Sequence, residues 1–96
     1  MVSNIFDISD PDEVVRRFLK YKGKDQASIA LSPRKDKKYM VRFDGKTTHF
    51  GSTMPDYTKH RDEQRRERYL KRAQGIRGNW RNDKYSANNL AINLLW

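Results

Sequence analysis

The sequence predicts an α+β fold: a small domain with an N-terminal helix, a β-hairpin or three-stranded antiparallel sheet, a basic helix and a short C-terminal helix. Three observations carry this expectation. Asp10-Pro11-Asp12-Glu13 opens a stretch whose apolar residues recur at spacings of three and four. Asp44-Gly45 sits between two arms of period-two alternation. From about Thr58 the chain becomes densely charged, with oppositely charged residues four positions apart, as on a helix surface.

The first helix has a start, a face and a stop. Asp10 suits the N-cap, Pro11 the first helical position, and Glu13 completes the capping-box spacing near the positive end of the helix dipole. Val14, Val15, Phe18 and Leu19 then share one face, which a chain this poor in apolar residues needs for its core. Gly23 ends the helix as a left-handed cap. The N-terminal helical segment is expected within residues 1–24.

Ala27–Leu31 reads as a short strand before Pro33, and residues 34–38 as a charged loop. In the hairpin, a two-residue type I′ turn pairs Phe43 with Lys46, Val41 with Thr48 and Tyr39 with Phe50. Tyr39, Val41, Phe43 and Phe50 therefore point inward, and Met40, Arg42, Thr47 and His49 take the other face. Beyond a loop over residues 51–55, the charged helix holds seven Lys/Arg and three acids between positions 59 and 72, a local charge of +4. Asp62 with Arg66 and Glu67 with Lys71 are four apart in the favourable orientation. Tyr69, Leu70 and Ala73 are its few apolar anchors, so only its C-terminal half can pack firmly. Gly75 and Gly78 break it. Trp80 lies in a polar stretch, and a last helix over residues 86–95 aligns Ala87, Leu90, Ala91 and Leu94 before Trp96.

Ninety-six residues allow one domain, 1–96, whose main body is expected over residues 37–96. Lys plus Arg number 21 against 12 Asp plus Glu, a net charge of +9. An excess this large predicts attraction to phosphates, anionic lipids or acidic protein surfaces. With no cysteine, disulfide frameworks and thiolate metal sites are excluded. No apolar run approaches the ~20 residues that span a bilayer, and the N-terminus lacks the pattern of a signal peptide. The compartment expected is intracellular.

No catalytic constellation stands out. His49 and His60 lack cysteine partners, and Asp56 with His60 gives two metal ligands, too few for a closed site. Gly-rich phosphate loops, nucleophile elbows and paired-carboxylate motifs are missing. The expectation is a non-enzymatic protein with no cofactor, no metal site and no catalytic residue. The residues expected to meet a partner or phosphates are Lys38, Arg42 and Lys46 on the hairpin, Arg61, Arg65, Arg66, Arg68, Lys71 and Arg72 on the basic helix, and Arg77 and Arg81 around Trp80. Stacking on single strands needs exposed aromatics among those cations. Tyr39, Phe43 and Trp80 are instead expected in the core, because a chain with 11 aromatics needs most of them inside.

One ordered series of short motifs is distinctive. Lys38-Tyr39-Met40-Val41, Gly45-Lys46-Thr47-Thr48-His49-Phe50-Gly51, Asp56-Tyr57-Thr58, His60 and Asp62 form its first half. Arg65, Arg66, Arg68-Tyr69-Leu70, Asn79-Trp80, Ser86-Ala87 and Leu94-Leu95-Trp96 follow. Over residues 37–96 the chain resembles a family of small basic proteins of unknown function encoded by nucleocytoplasmic large DNA viruses. It departs from that family in the Asn-rich stretch holding Asn88, Asn89 and Asn93, and in ending at Trp96. The resemblance implies a virus-encoded protein packaged in the virion, present in host cytoplasm during assembly.

Two functions compete on these grounds. The first is a minor capsid or virion structural protein that binds acidic surfaces of neighbouring capsid proteins. The alternative is a sequence-nonspecific nucleic-acid-binding virion protein. A genome binder should gather its arginines on one continuous patch. A capsid adaptor should split its cations between faces and expose an apolar patch at Leu94, Leu95 and Trp96 or at Ile5 to Ile8.

Overall fold

The computed structural model describes residues 4–96; residues 1–3 of the expected helical segment lie outside that range. A 3-10 turn at Ile5–Asp7 leads into helix α1 (Pro11–Lys22), then strands β1 (Ala27–Leu31), β2 (Tyr39–Phe43) and β3 (Lys46–Phe50). A single helical turn α2 (Tyr57–His60), helix α3 (Glu63–Gln74), a 3-10 turn at Trp80–Asn82 and α4 (Ala87–Leu90) follow. The last helix ends in a widened π turn over Ala91–Leu95. The fold is α+β, with four helices around one three-stranded antiparallel sheet of order β1-β2-β3.

The hairpin register is the one its turn dictates. Phe43 pairs with Lys46, Val41 with Thr48 and Tyr39 with Phe50. Asp44 and Gly45 have φ of 53° and 76°, the doubly positive turn that follows the twist of the flanking strands. Tyr39, Val41 and Phe50 are buried and Phe43 packs against the core they form.

β1 pairs with β2 in a register that sets Ile29 opposite Val41. The Ser32 N–H donates to the Lys38 carbonyl at 3.0 Å. By strand alternation, the N–H and C=O groups of Ala27, Ile29 and Leu31 point away from β2. Among the described residues nothing pairs with them, so β1 is an open edge.

The Asp10 carboxylate caps helix α1 as expected, accepting from the Glu13 N–H. The capping box is not completed, because the Asp10 N–H donates to the Thr58 hydroxyl and Glu13 turns to Arg17 and Arg61. Gly23 ends the helix at φ +56° but ψ −119°, outside the left-handed helical region expected of it. Its face is narrower than the sequence implied. Val14 and Phe18 are buried, whereas Val15 is 41% and Leu19 55% exposed. Beneath the sheet α1 lies against the Ala91–Leu95 turn, and one neighbouring helix covers little more than an i, i+4 stripe.

The core joins Val14 and Phe18 to Tyr39, Val41, Phe50, Tyr85, Leu90, Ala91, Leu94 and Leu95. Residues before position 37 therefore share the core of the rest. The C-terminal helix buries Leu90, Ala91 and Leu94 as expected, but leaves Ala87 exposed and buries Leu95 as well. Burial of Leu94 and Leu95 removes the exposed apolar patch anticipated there. In the Ile5 to Ile8 segment only Phe6, at 56%, is an exposed large apolar residue.

The basic helix is interrupted rather than continuous from Thr58. Arg61 takes a left-handed conformation, φ 57°, and its N–H donates to the Tyr57 carbonyl, which closes α2 after one turn. Asp62 then caps α3, accepting from the Gln64 and Arg65 N–H groups. Because its carboxylate caps, Asp62 lies nearest Arg65, at 3.7 Å, and Glu63 takes Arg66, at 3.9 Å; the pairs are three apart, not four. α3 packs through its C-terminal half, with Ala73 buried and Tyr69 against the core.

Candidate binding cleft

A spacing of three, then four, puts Arg65, Arg68 and Arg72 on one face of α3, with Tyr69 between them. That face borders a cleft of about 650 Å³ between α3, the loop after β3 and the C-terminal helix. Volumes of this order are typical of ligand sites. Met54 and Pro55 form one side, and Ala87, Ala91 and Leu95 of the last helix form the floor. Lys38, Gly51, Ser52 and Asn88 complete the lining, which holds no acidic side chain and no histidine. No side chain in the cleft wall repels an anion.

Trp96 closes one end. Its N–H donates to the Ala91 carbonyl, the wide π-turn bond that swings the residue toward α3. Its indole stacks on Tyr69, centroids 4.3 Å apart at 14°, and the His60 ring packs against the same indole at 5.3 Å. The Arg66 Nε donates to the Trp96 main-chain oxygen at 2.7 Å, and the Arg66 guanidinium lies over the Tyr57 ring. The indole is thus engaged by two neighbouring rings.

Beneath the cleft lies a buried polar chain. Lys38 Nζ is 3.1 Å from Asp56 Oδ2 and donates to the Met54 carbonyl at 2.5 Å. Asp56 caps α2 and accepts from the Thr58 hydroxyl. Since the Thr58 proton is committed there, its oxygen accepts from the Ser9 hydroxyl, 3.2 Å away, and from the Asp10 N–H. Ser9 in turn accepts from the Tyr39 hydroxyl at 2.8 Å. The chain fastens α1, β2 and α2 to one another. Burial pulls the Lys38 ammonium below its ordinary pKa, with Asp56 opposing that shift.

Gly51 sits where the cleft meets this chain. Its φ is +86°, and an added Cβ would lie 3.0 Å from Leu95 Cδ1 and 3.2 Å from Lys38 Cβ. A side chain there is strained by the positive φ and crowded by Leu95 and Lys38.

The expected contact residues divide sharply. Arg65, Arg68 and Arg72 converge on the cleft. Arg42, Lys71, Arg72 and Arg77 have no side-chain partner among the described residues, and all four are exposed. Lys46 lies elsewhere, on a smaller hollow beside Asp83, 3.6 Å away. Lys38 is not a surface cation: it is 4% exposed and neutralised by Asp56. It fails as a partner contact because it precedes β2, where alternation no longer sets the side chain on the face of Met40 and Arg42, and its ammonium instead reaches Asp56 and the Met54 carbonyl under the loop after β3. Arg61 is a structural tie, its Nη2 2.5 Å from Glu13 Oε1 of α1. Arg66 anchors Trp96. Arg81 lies over Trp80, 4.3 Å from the ring, and donates to the Gln74 carbonyl. Trp80 itself is half-buried, with its Nε1–H on the Ile76 carbonyl at 2.7 Å.

Tyr69, Met54 and Asn88 were not foreseen as part of a site, and Trp96 was expected only within an exposed apolar patch. The three-and-four spacing of Arg65, Arg68, Tyr69 and Arg72 was a readable signal for the α3 wall. Nothing in the sequence announces that Trp96 folds back onto Tyr69. Among the described residues there is no group of three metal-ligating side chains, and no helix is long and apolar enough to cross a membrane.

Residues 27–73 match the model of a family of unknown function (DUF5754). The matched stretch runs from β1 to the last turn of α3, and so holds the sheet, the Lys38–Asp56 pair and the arginine face. No curated protein and no solved structure matches the chain.

Proposed function

We propose that this is a non-enzymatic binding protein that docks an acidic surface of a neighbouring protein, as a minor structural component of a virion. The observation that carries the reading is the convergence of Arg65, Arg68 and Arg72 on a cleft with an apolar floor. Arginine forks fit carboxylates in pairs, and an apolar floor gives a protein partner area to bury. The division of cations between this cleft and the Lys46 hollow favours an adaptor over a track along a backbone, whereas the burial of Leu94 and Leu95 removes the apolar patch expected of an adaptor there. The resemblance to small basic proteins of large DNA viruses supports a capsid protein as the partner.

Nucleic acid is the second reading, favoured by the net charge of +9 and the unpaired Lys71 and Arg77. The state of the aromatics weighs against it. Tyr39 and Phe43 face the core, Trp96 is engaged by Tyr69 and His60, and Trp80 is covered by Arg81. None of these four rings is free for a single strand to stack on, and the exposed Phe6 lies in a turn, Ile5–Asp7, that holds no cation.

Titration with random-sequence duplex DNA from low to physiological salt separates the two. Under the protein-docking reading, binding is weak and vanishes at modest salt. Binding that persists at physiological salt, with a log–log slope of several released counterions, transfers the function to the genome.

A further inference from the structure

The cleft has two chemistries, and their arrangement defines what fits. Its rim is cationic and its floor is Ala91 and Leu95, with Met54 and Trp96 at the sides. Exposed ion pairs alone add little and are screened by salt. Ala91 and Leu95 are themselves nearly dry, so a ligand that only supplied carboxylates would leave the exposed Met54 and the Trp96 side of the cleft wet. Arg65 and Arg72 are seven positions apart on α3, ~10 Å along the helix axis. An extended peptide covers that distance in about three residues.

We propose that the cleft takes an acidic peptide segment built around one bulky apolar anchor, with carboxylates about two to four residues apart on either side of it. The anchor seats between Met54, Leu95 and Trp96, and the flanking carboxylates meet Arg65, Arg68 and Arg72. This rests on the protein-docking reading and adds the shape of the motif to it. Lys38 takes no part, because Asp56 already neutralises it. Selection therefore comes from a hydrophobic anchor held in place by the arginine rim, the usual division between a buried centre and a polar edge.

The test uses the full chain and two synthetic peptides, acetyl-Glu-Asp-Phe-Asp-Glu-amide and the same peptide with Ala in place of Phe. The chain has two tryptophans, so two indole N–H signals report the site by NMR. The Phe peptide is expected to move the Trp96 signal saturably, leave Trp80 still, and bind ~10-fold or more tighter than the Ala peptide. Arg68→Glu is expected to abolish both. Arg68 is exposed and bonds only within its own helix, Nε to the Gln64 carbonyl, so the thermal midpoint should hold. Equal affinity of the two peptides overturns the anchor while leaving acidic docking intact. No binding of either, or movement of Trp80 instead, overturns both the anchor and the docking reading.

Discussion

Lys38 and Asp56 form a buried ion pair, Nζ to Oδ2 at 3.1 Å, with side chains 2% and 0% exposed. It lies at the centre of the chain of hydroxyls that fastens α1 to β2 and α2. Two charges so far from water persist because each has further partners: the Met54 carbonyl for the ammonium, and the Thr58 N–H and hydroxyl for the carboxylate.

Asp56→Asn should lower stability by about 3–5 kcal/mol, the usual result of leaving one buried charge alone. Adding Lys38→Met to that variant should recover part of the loss, because no ammonium is then stranded. Urea unfolding of both variants measures this. Losses that simply add would show that the two side chains do not act as a pair.

Gly51→Ala should destabilise by about 1–3 kcal/mol, from positive φ combined with close approach to Leu95 and Lys38. Gly45→Ala isolates the conformational part, since nothing lies within 4 Å of a Cβ there. It should lose about 1–2 kcal/mol. Thermal midpoints of the two decide whether crowding adds to the strain at Gly51; the same small loss at both sites would mean that it does not.

How legible these features were differs from one to the next. The hairpin was readable to the residue, because the period-two pattern and the Asp44-Gly45 turn are local and agree with each other. The break at Arg61 was not, because the left-handed residue there is an arginine rather than a glycine or asparagine. What selects it is the competing cap at Asp62 and the contact with Glu13, 48 positions away in sequence. Lys38 was misread for a related reason. A lysine beside a strand reads as surface, and only the tertiary placement of Asp56 makes burial tolerable. The arginine face of α3 was visible as a spacing. The cleft beside it was not, since its other walls come from the loop after β3 and from a π turn with no sequence signature.

Alkaline unfolding should begin above pH 10. Burial pushes the Tyr39 hydroxyl up to about 12, and Tyr85 is raised too, first by burial and then by the Asp25 carboxylate that accepts its hydrogen bond. Folded-state values above the unfolded ones mean that this stabilisation is whole below pH 10 and is lost as pH rises through the folded values. Absorbance at 295 nm should show tyrosine ionisation coinciding with loss of circular dichroism. Smooth titration near pH 10 in a chain that stays folded would contradict it.

Acid should loosen the joint between α2 and α3. Burial, then repulsion from Arg65, pulls the His60 imidazole below its usual pKa of 6.5, with Asp62 and Asp56 opposing and Lys38 reinforcing. Its Nδ1 accepts from the Asp62 N–H at 2.8 Å, which a protonated ring cannot do. The unfolded chain binds this proton more readily, so the contribution is present above pH 6.5 and falls away below it. His60→Gln should flatten the loss of stability between pH 7 and 5. A variant that follows the wild-type profile would remove His60 as the cause.

The open edge of β1 carries a consequence for the chain in crowded solution. Ala27–Leu31 holds no charged residue and no proline, the features by which sheet edges ordinarily discourage a second strand. Mutual repulsion at +9, which reaches about 8 Å at physiological ionic strength, opposes such pairing. Each arginine that an acidic partner neutralises weakens that repulsion. Colloidal stability and partner occupancy would therefore be linked through the same side chains: the cations that oppose lateral strand pairing are those that the proposed acidic partner would cover.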